Sequence, residues 1–336
     1  MYVVRTVKNK EKTLNNMTEG KTVAVVMCTY NGEKFLREQL DSILRQTYPI
    51  SEIIVQDDCS TDSTVAILRS YAARNGRVRV IVNEHNLGFN RNFRSAVMKA
   101  TADFVAISDQ DDVWMPDKIE RQVEAIGQYN ICYSDHLRGT TIEGAHTVSP
   151  RCSLEALMFG GFAGHTMLLR RDFVQRDDVW MDGIYYDWSL GLNAYFHGEK
   201  AITHIGKPLN WHRSHPQEAA LLQSLSVNPA PKSRPTWQPY VLGYAHFHRL
   251  QRKPTWQRLY SHILENTRDP RFLLHHTMAR LMLSRSPLAM LRLCTICMKH
   301  RRDIYPNAAK TNGMMGMVRG FCWPMIFAYR CSQFDL

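Results

Sequence analysis

The sequence predicts an α/β fold, in which a mostly parallel sheet with helices on both faces is followed by a C-terminal helical region. Four apolar runs of strand length lie within the first 110 residues, and an amphipathic helical pattern follows each of the first three. Polar residues stand where the runs end. Strands that alternate with helices form parallel crossovers, and the helices then bury both faces of the sheet.

The alternation can be followed along the chain. Strands are predicted at residues 22–28, 52–56, 78–82 and 104–107, with a further apolar strand at 167–169. Helical patterns occupy 33–46, a stretch beginning near Ser63, and a stretch that runs through Lys99. In the first of these, Leu36, Leu40 and Leu44 recur every four residues, so one stripe can face the sheet.

Polar side chains are concentrated at the predicted strand ends. They are Thr29, Tyr30, Asp57, Asp58, Asp109, Asp111 and Asp112. In open parallel sheets, ligands bind beyond the carboxyl ends of the strands. Three carboxylates within four residues need a cation, although a solvated acidic turn is the common alternative for an isolated acidic run.

Missing motifs narrow the type of nucleotide site. The turn after the first strand lacks G-x-G-x-x-G, and the sequence contains no G-x-x-x-x-G-K-[ST] loop, which disfavours dehydrogenases and P-loop proteins. Without a glycine cradle, a bound diphosphate needs another source of positive charge. Carboxylates that hold a divalent cation supply it, and Mg²⁺ or Mn²⁺ suits oxygen ligands.

Four segments stand in a characteristic order: 25–31 (VVMCTYN), 57–62 (DDCSTD), 86–88 (NLG) and 109–114 (DQDDVW). Together they resemble the family 2 glycosyltransferases of GT-A fold, and most of all the rhamnosyltransferase-like branch that builds bacterial surface polysaccharides. The resemblance covers Thr22 to about His215. It implies an inverting enzyme that moves a sugar from a dTDP- or UDP-sugar donor, rhamnose being one candidate, to a hydroxyl of a lipid-linked glycan.

The resemblance assigns donor-binding residues. Tyr30 and the backbone around Thr29 would lie against the nucleoside, and Asp58 would accept a hydrogen bond from the imide of uracil or thymine. Asp57 is the alternative, since strand alternation sends only one of the pair into the site. Gln110 and Arg91 complete this side of the site, although Arg91 would equally suit a solvated helix start.

The resemblance also implies a divalent cation, Mg or Mn, at the D-x-D motif. Asp111 would be its more direct ligand, and Asp109 would serve both as a ligand and as a contact to the ribose. Asp112 would make structural contacts. The segment 211–215 resembles a basic loop of the same branch, in which Arg213 would stabilise the leaving diphosphate and His215 would bind phosphate or the metal. A basic surface loop is the alternative.

On the acceptor side, the resemblance places a catalytic base at Asp187, because a sugar hydroxyl needs a carboxylate to remove its proton during attack. Tyr186 stands where a second acid is common in the family. Other acids compete for the role of base: Asp172, Asp177, Asp178 and Asp182. The expected acceptor-binding residues are Gly164, His165, Thr166 and Trp188, with a packed loop histidine as the alternative for His165.

The excess of basic residues is confined to the C-terminal part of the chain. The whole chain carries +11, but residues 217–336 hold seventeen Lys or Arg against five Asp or Glu. We therefore expect a flexible leader at 1–20, a catalytic domain at 21–216, and a basic, mainly helical region at 217–336 that begins with a proline-rich linker at 228–235. Its amphipathic helices, at 272–285 and 287–300, would either lie on an anionic membrane or pack as a cap.

The remaining features concern location and alternative functions. No apolar run approaches the roughly 20 residues of a membrane span, the N-terminus lacks an apolar signal core, and eight scattered cysteines suit reduced thiols. We expect a cytoplasmic enzyme, which would be peripheral on the cytoplasmic face of the inner membrane if its C-terminal helices bind lipid instead of packing as a cap. The alternatives are a nucleotidyltransferase acting on sugar phosphates, or a nucleic-acid-binding protein, which the near-neutral first part disfavours.

Overall fold

A computed structural model describes residues 20–215, 237–305 and 308–331. The proline-rich linker at 228–235, and the predicted leader apart from Gly20, lie outside these residues. Contacts divide the chain into two compact units. Unit 1 comprises residues 1–149, 163–180 and 197–214, and unit 2 comprises 150–162, 181–196 and 215–336. The chain therefore enters unit 2 twice before residue 215, while the predicted domain boundaries at 20/21 and 216/217 stay a prediction.

Nine strands are present among the described residues, and all belong to unit 1. They are β1 Val23–Thr29, β2 Glu52–Asp57, β3 Val78–Val82, β4 Phe104–Ser108, β5 Val113–Trp114, β6 Ile131–Gly139, β7 His146–Val148, β8 Met167–Arg170 and β9 Ile202–Arg213.

Fourteen α-helices occur in the described part of the chain. They are α1 Leu36–Leu44, α2 Thr64–Arg74, α3 Phe89–Val97, α4 Lys118–Ile126, α5 Leu154–Leu157, α6 Arg171–Val174, α7 Tyr186–Phe196, α8 Gln238–Leu250, α9 Pro254–Asn266, α10 Leu273–Leu283, α11 Pro287–Lys299, α12 Arg301–Ile304, α13 Gly313–Phe321 and α14 Trp323–Arg330.

The sheet of unit 1 has the order β3-β2-β1-β4-β8-β6-β9-β5, with β7 paired to β6. The first four strands are mutually parallel, as predicted. Beyond β4 the sheet becomes mixed, because β8 runs antiparallel to β4 and β5 runs antiparallel to β9. The carboxyl ends of β1, β2 and β4 therefore share one edge, and β5 brings the chain after β4 next to the end of β9.

The central strands are buried on both faces, as expected for a sheet covered by helices. In β1, Val23, Val25 and Met27 join one hydrophobic cluster, and the intervening residues are buried as well. Leu36, Leu40 and Ile43 of α1 pack into the same cluster, which confirms the predicted apolar stripe. Burial of such side chains stabilises a fold by about 1.5–3 kcal/mol each. The core thus fixes the strand ends on which the site is built.

Unit 2 is built from helices. Trp256 and Tyr260 of α9 are fully buried, and Trp256 packs against Phe247 of α8 and Phe327 of α14. The short apolar stretch at 320–329 contributes buried residues to this core through α14. Among the described residues, no helix combines the length and the apolar character that crossing a membrane would require.

Candidate functional site

The turn after β1 is held by Gln110. The backbone N–H of Tyr30 donates to Gln110 Oε1 at 2.9 Å, and Gln110 Nε2 donates to the carbonyl of Tyr30 at 3.1 Å. Gly32 permits this approach, since a Cβ atom there would lie 2.3 Å from Gln110 Oε1. The Tyr30 side chain is exposed beside this clamp. The structure thus brings the predicted donor-binding residues Tyr30 and Gln110 together.

Asp57 is buried at the end of β2, where its carboxylate accepts hydrogen bonds from the end of β1 and from the turn after β2. Its Oδ2 accepts hydrogen bonds from Thr29 Oγ1 at 2.8 Å and from Ser60 Oγ at 2.6 Å, and its Oδ1 accepts from the Ser60 N–H at 2.9 Å. Asp57 therefore links the ends of β1 and β2. Thr29, predicted to bind the donor, is buried as the partner of this carboxylate.

Asp58 organises the segment after β3. Its Oδ1 accepts from Asn83 Nδ2 at 2.8 Å and from the Leu87 N–H at 2.7 Å, while its Oδ2 accepts from the Gly88 N–H at 2.9 Å. A carboxylate has about four acceptor positions, so three such bonds leave room for one more donor. This side chain joins the second and third sequence motifs at the same sheet edge.

Asp112 lies at the centre of a buried polar cluster. Its Oδ1 is 2.9 Å from His212 Nδ1 and its Oδ2 is 3.0 Å from His165 Nδ1, while Asn210 Nδ2 donates to the same Oδ2 at 3.0 Å. The pairing of β5 with β9 places Asn210 and His212 here, since they point to the same side of β9. The two imidazole rings stack at 4.7 Å.

Electrostatics within this cluster are uneven. Burial alone would raise the pKa of Asp112, but His165 and His212 hold it well below its usual range. Burial raises the pKa of Asp109 to about 6, in spite of His165 and with a further contribution from Asp112. Burial also lowers the pKa of His136, which lies edge-on to His165, to about 3. Asp109 is thus a carboxylate with insufficient positive charge around it.

The donor set fits a divalent cation. One possible ligand atom from each of Asp109, Asp112, His165 and His212 lies within 4.8 Å of the others. In addition, Asn210 Oδ1 and His136 Nδ1 are buried without a hydrogen-bond partner among the described residues. Oxygen and imidazole ligands together suit Mn²⁺ and other transition-metal ions, and oxygen ligands suit Mg²⁺. This set includes Asp109 but neither Asp111 nor His215, whose roles as ligands stay predictions.

Helix α4 holds the loop that carries His165. Lys118 Nζ, fully buried and 4.4 Å from the centre of the Trp114 ring, donates to the carbonyl of His165 at 2.6 Å. Gln122 Nε2 donates to the carbonyl of Thr166 at 2.7 Å. Residues Gly164–Thr166 form a single 3₁₀ turn whose three residues are buried. The predicted acceptor-binding residues Gly164, His165 and Thr166 are therefore part of a buried, packed segment, and their contact with the acceptor stays a prediction.

The basic residues predicted to face the diphosphate differ in their surroundings. Arg213 pairs with Glu38 and stacks over Phe35 and Trp211, with its guanidinium carbon 4.6 and 4.2 Å from the two ring centres. Its Nε also donates to the carbonyl of Asp111 at 3.3 Å, so it lies beside the acidic segment. Arg91, in contrast, is exposed in the first turn of α3. Donor contact by either residue stays a prediction.

Asp187 and Trp188 belong to unit 2. Asp187 is half-buried in the first turn of α7, and its Oδ1 accepts from the Trp188 N–H at 2.7 Å. An acid at this position is favoured by the positive end of the helix dipole. Trp188 is buried, and its indole N–H donates to the carbonyl of Leu157 at 2.7 Å. Its surroundings are those of a core residue, and the predicted acceptor contact is untested.

Sequence reasoning passed over three members of the polar cluster: Asn210, His212 and His136. Asn210 and His212 share a face of β9, being two residues apart, but this signal depends on recognising β9 as a strand, which its sequence pattern did not show. His136 carried no comparable signal, since it reaches the cluster only through the pairing of β6 with β8 and β9. Lys118 was also missed, because a lysine at a helix start normally faces water.

Comparison with known proteins identifies what the first part of the chain resembles. Residues 24–175 match the family profile described as Glycosyl transferase family 2. The chain is 39% identical over 108 residues to the putative glycosyltransferase EpsE of Bacillus subtilis strain 168, covering 32% of this chain and 39% of that protein.

A second relative is the UDP-Glc:alpha-D-GlcNAc-diphosphoundecaprenol beta-1,3-glucosyltransferase WfgD of Escherichia coli, 31% identical over 111 residues, or 33% of this chain and 43% of that protein. The chain thus spans less than half the length of either relative. The crystal structure of S. aureus TarS 1-349 in complex with UDP-GlcNAc shares the fold, with a TM-score of 0.54 at 16% identity over 84% of this chain and 81% of that one.

Proposed function

We propose that this chain, whose residues 24–175 form a family 2 glycosyltransferase domain, transfers a sugar with inversion from a nucleotide-diphosphate donor to a glycan hydroxyl. The observation that supports this most is the meeting of three strand ends in unit 1. There the Tyr30–Gln110 clamp, Asp58 and the Asp109–Asp112 segment share one sheet edge. Ligands of open α/β sheets bind at such an edge.

The proposed donor is a UDP- or dTDP-sugar. Asp58 retains one acceptor position, and the imide N–H of uracil or thymine is a donor that matches it. The exposed Tyr30 ring offers a stacking surface for the base. The named donor of the E. coli relative is UDP-Glc, and the S. aureus structure contains UDP-GlcNAc, which supports a pyrimidine nucleotide here. Within this donor class, rhamnose is the proposed sugar.

The proposed cofactor is Mg²⁺ or Mn²⁺. Asp109 would hold the ion, and the imidazoles of His165 and His212 are close enough to contribute, while Asp112 fixes both rings through their Nδ1 atoms. Asp111 and His215 remain further proposed ligands. When bound, such an ion neutralises the negative charge of the diphosphate. Arg213, beside the acidic segment, would add positive charge on the same side.

Transfer requires a base on the acceptor side, and Asp187 is the proposed one. It would accept the proton of the acceptor hydroxyl as the oxygen attacks the anomeric carbon, while the bond to the nucleoside diphosphate breaks on the opposite face. This single displacement inverts the anomeric centre. A lipid-linked acceptor, as in the name of the E. coli relative, would place the reaction at a membrane surface and the enzyme as a peripheral protein on its cytoplasmic side.

Thermal unfolding with nucleotides tests the donor assignment. UDP and dTDP with Mn²⁺ are expected to raise the melting temperature by about 5 °C at a hundredfold excess over Kd, and to do much less without the metal. Asp109→Asn should abolish the metal-dependent part of the shift. Glu124→Gln, an exposed carboxylate on α4, is the matched control and should shift like the wild type. Stabilisation by purine nucleotides alone would contradict the proposal.

A further inference from the structure

Helix α13 in unit 2 buries Gly316 and Gly320 and turns its large apolar residues outward. A Cβ atom on Gly316 would lie 2.2 Å from the backbone of Thr311, and one on Gly320 would lie 2.8 Å from Arg301 Cβ, so both glycines face close neighbours. On the outside, Met314 is 75% exposed, and Met315, Met317 and Val318 are exposed too. Four large apolar side chains in water are the reverse of what a surface helix normally shows.

The neighbouring helix α11 extends this outward apolar character. It packs against α13 and presents Leu288, 76% exposed, and Leu291, also exposed, one turn apart. Arg292 and Lys299 are exposed on the same stripe, four and eleven residues after Leu288. The face of α11 is therefore apolar towards its start and basic further along. We call the outward residues of α11 and α13 the apolar-basic surface.

Helix α8 of the same unit repeats the arrangement independently. Gly243 faces inward, where a Cβ atom would lie 2.5 Å from the carbonyl oxygen of Met325 on α14. The neighbouring apolar side chains Val241, Leu242 and Tyr244 are exposed. Close packing through a glycine, with large apolar groups left outside, thus occurs on two separate helices of unit 2. Exposed apolar side chains grouped in this way indicate a surface that contacts something apolar.

The sequence around the apolar-basic surface is strongly basic, which favours a negatively charged partner. From residue 287 to residue 331 the sequence contains seven Lys or Arg and a single acid, Asp303. Two copies of this surface facing each other would bring like charges together, which disfavours a symmetric dimer. A surface that is both apolar and anionic complements it, and an anionic lipid membrane provides both properties.

We propose that the apolar-basic surface docks onto anionic lipid membranes, with the Met and Leu side chains entering the interface and the basic residues contacting lipid headgroups. Methionine suits this role, because its flexible thioether adapts to an irregular apolar environment. The inference extends the proposed function by naming the partner of unit 2. It does not depend on the transfer reaction, since docking requires neither donor nor acceptor.

Vesicle sedimentation with the full chain tests the proposal. We expect the wild type to sediment with vesicles of phosphatidylcholine mixed with phosphatidylglycerol, and far less with phosphatidylcholine alone. Met314→Ser/Met315→Ser should weaken the binding at least about fivefold, because two apolar side chains no longer enter the interface. Arg292→Glu/Lys299→Glu should weaken it similarly and make the remainder less sensitive to salt, since fewer charges are left to screen.

The matched control is Val82→Ser/Ile142→Ser, which changes two exposed apolar residues of unit 1 and should bind vesicles like the wild type. Circular dichroism establishes that each variant is folded. Equal binding by the wild type and both surface variants, or no binding to anionic vesicles, would overturn the proposal. So would a wild-type dimer that Met314→Ser/Met315→Ser converts to monomer. Loss of donor binding with intact vesicle binding would count against the proposed function alone.

Discussion

Asp112 ties both strand β9 and the turn at Gly164–Thr166 to the acidic segment, because its carboxylate accepts from Asn210 and His212 of β9 and lies 3.0 Å from His165 Nδ1 of the turn. Because its two oxygens engage the Nδ1 atoms of both imidazoles, the rings are fixed in orientation before any ligand binds. At metal sites, a carboxylate that hydrogen-bonds to the other ring nitrogen of a histidine ligand sets the orientation and basicity of that histidine. Asp112, the last acid of the DQDD segment, therefore orients the two histidines of the polar cluster.

Removal of this carboxylate should be costly. Asp112→Ala is expected to lower the free energy of unfolding by about 3 kcal/mol, because it leaves buried polar groups without their charged partner. Glu124→Ala, on the exposed face of α4, should change it by less than about 0.5 kcal/mol. Urea unfolding followed by circular dichroism measures both. Similar values for the two variants would show that the cluster contributes little to stability.

Asp187 and Asp182 permit a paired test of the proposed base. Asp187→Asn should retain donor binding and lower kcat by at least about a hundredfold, since general-base catalysis contributes 10²–10⁴ in rate. Asp182→Asn, an exposed acid of the loop before α7, should retain kcat within about twofold, as expected of a surface substitution. Steady-state kinetics with the donor selected by thermal shift separates the two. An unchanged kcat in Asp187→Asn would assign the base elsewhere.

Among single residues, the sequence could predict those candidate site residues that directly follow a strand. Asp57 and Asp58 could be placed from the strand that precedes them, and the structure brings both to the predicted edge. The contact of Asp112 with His165 could not be predicted, because it joins residues more than fifty positions apart through the packing of α4 and β8. The metal ligands could not be chosen from the sequence for the same reason. Strand pairing decides which of the candidates come together: Asp109, Asp111, His212 and His215.

Among the elements, the turn after β1 depends on a loop from the end of β4. Gly32 lies under the Gln110 side chain so closely that no other residue fits without displacing it. The clamp that joins Tyr30 to Gln110 therefore requires a glycine two residues after the tyrosine. This relation between two separate loops gives a direct test of their coupling.

Gly32→Ala should weaken donor binding at least about tenfold, which corresponds to roughly 1.4 kcal/mol, because the added methyl group pushes Gln110 away from Tyr30. In a Gln110→Ala background the same substitution should cost little further affinity, since the clamp is already lost and the smaller side chain leaves room for the methyl group. Gly76→Ala, where a Cβ atom meets nothing within 4 Å, is the control. Calorimetric titration with UDP and Mn²⁺ measures the affinities. Additive effects of the two substitutions would argue against the coupling.

The parallel half of the sheet could be predicted because each of its strands is a continuous apolar run bounded by polar turns. Predicted and observed bounds of β1 to β4 agree to within one residue. Strands β6 and β9 escaped prediction, since β9 is only partly buried and its apolar residues are interrupted by polar ones. The two-residue strand β5 is too short to leave a pattern. In the mixed half of the sheet, the apolar pattern therefore predicted only β8, at 167–169.

At the scale of the whole molecule, acidic and basic residues are distributed differently between the first and second parts of the chain. The acids of the sheet edge lie in unit 1, and the excess of basic residues lies in the sequence after residue 216. That the chain enters unit 2 at 150–162 and 181–196 could not be predicted, because these segments look like ordinary loops and helices of the preceding domain. Residues 1–216 are close to neutral, so this part of the sequence lacks the excess of basic residues that binding a nucleic-acid backbone requires.

Acid stability of the molecule should depend on Asp103. Hydrogen bonds from the Thr22 N–H, together with those from Thr22 Oγ1 and Lys21 Nζ, lower its pKa to about 2. Because the pKa is below that of the unfolded chain, about 3.9, the stabilisation is complete above that pH and is lost as the pH falls from about 4 to 2.

Asp103→Asn should therefore make the urea midpoint less dependent on pH between about 4 and 2 than in the wild type. Thr22→Val, which removes one of the donors, should have a smaller effect in the same direction. Urea unfolding at a series of pH values provides the comparison. A wild-type slope in Asp103→Asn would show that other carboxyl groups dominate acid unfolding.

The most direct test of the central claim is anomalous diffraction from crystals grown with UDP and MnCl₂. We expect one strong manganese peak at the carboxyl edge of β4, within about 2.5 Å of an Asp109 oxygen and next to the diphosphate, with the uracil near Asp58. Asp109→Asn crystals should lack the peak. Manganese and nucleotide bound away from this edge, or nucleotide bound there with no metal beside it, would contradict the account.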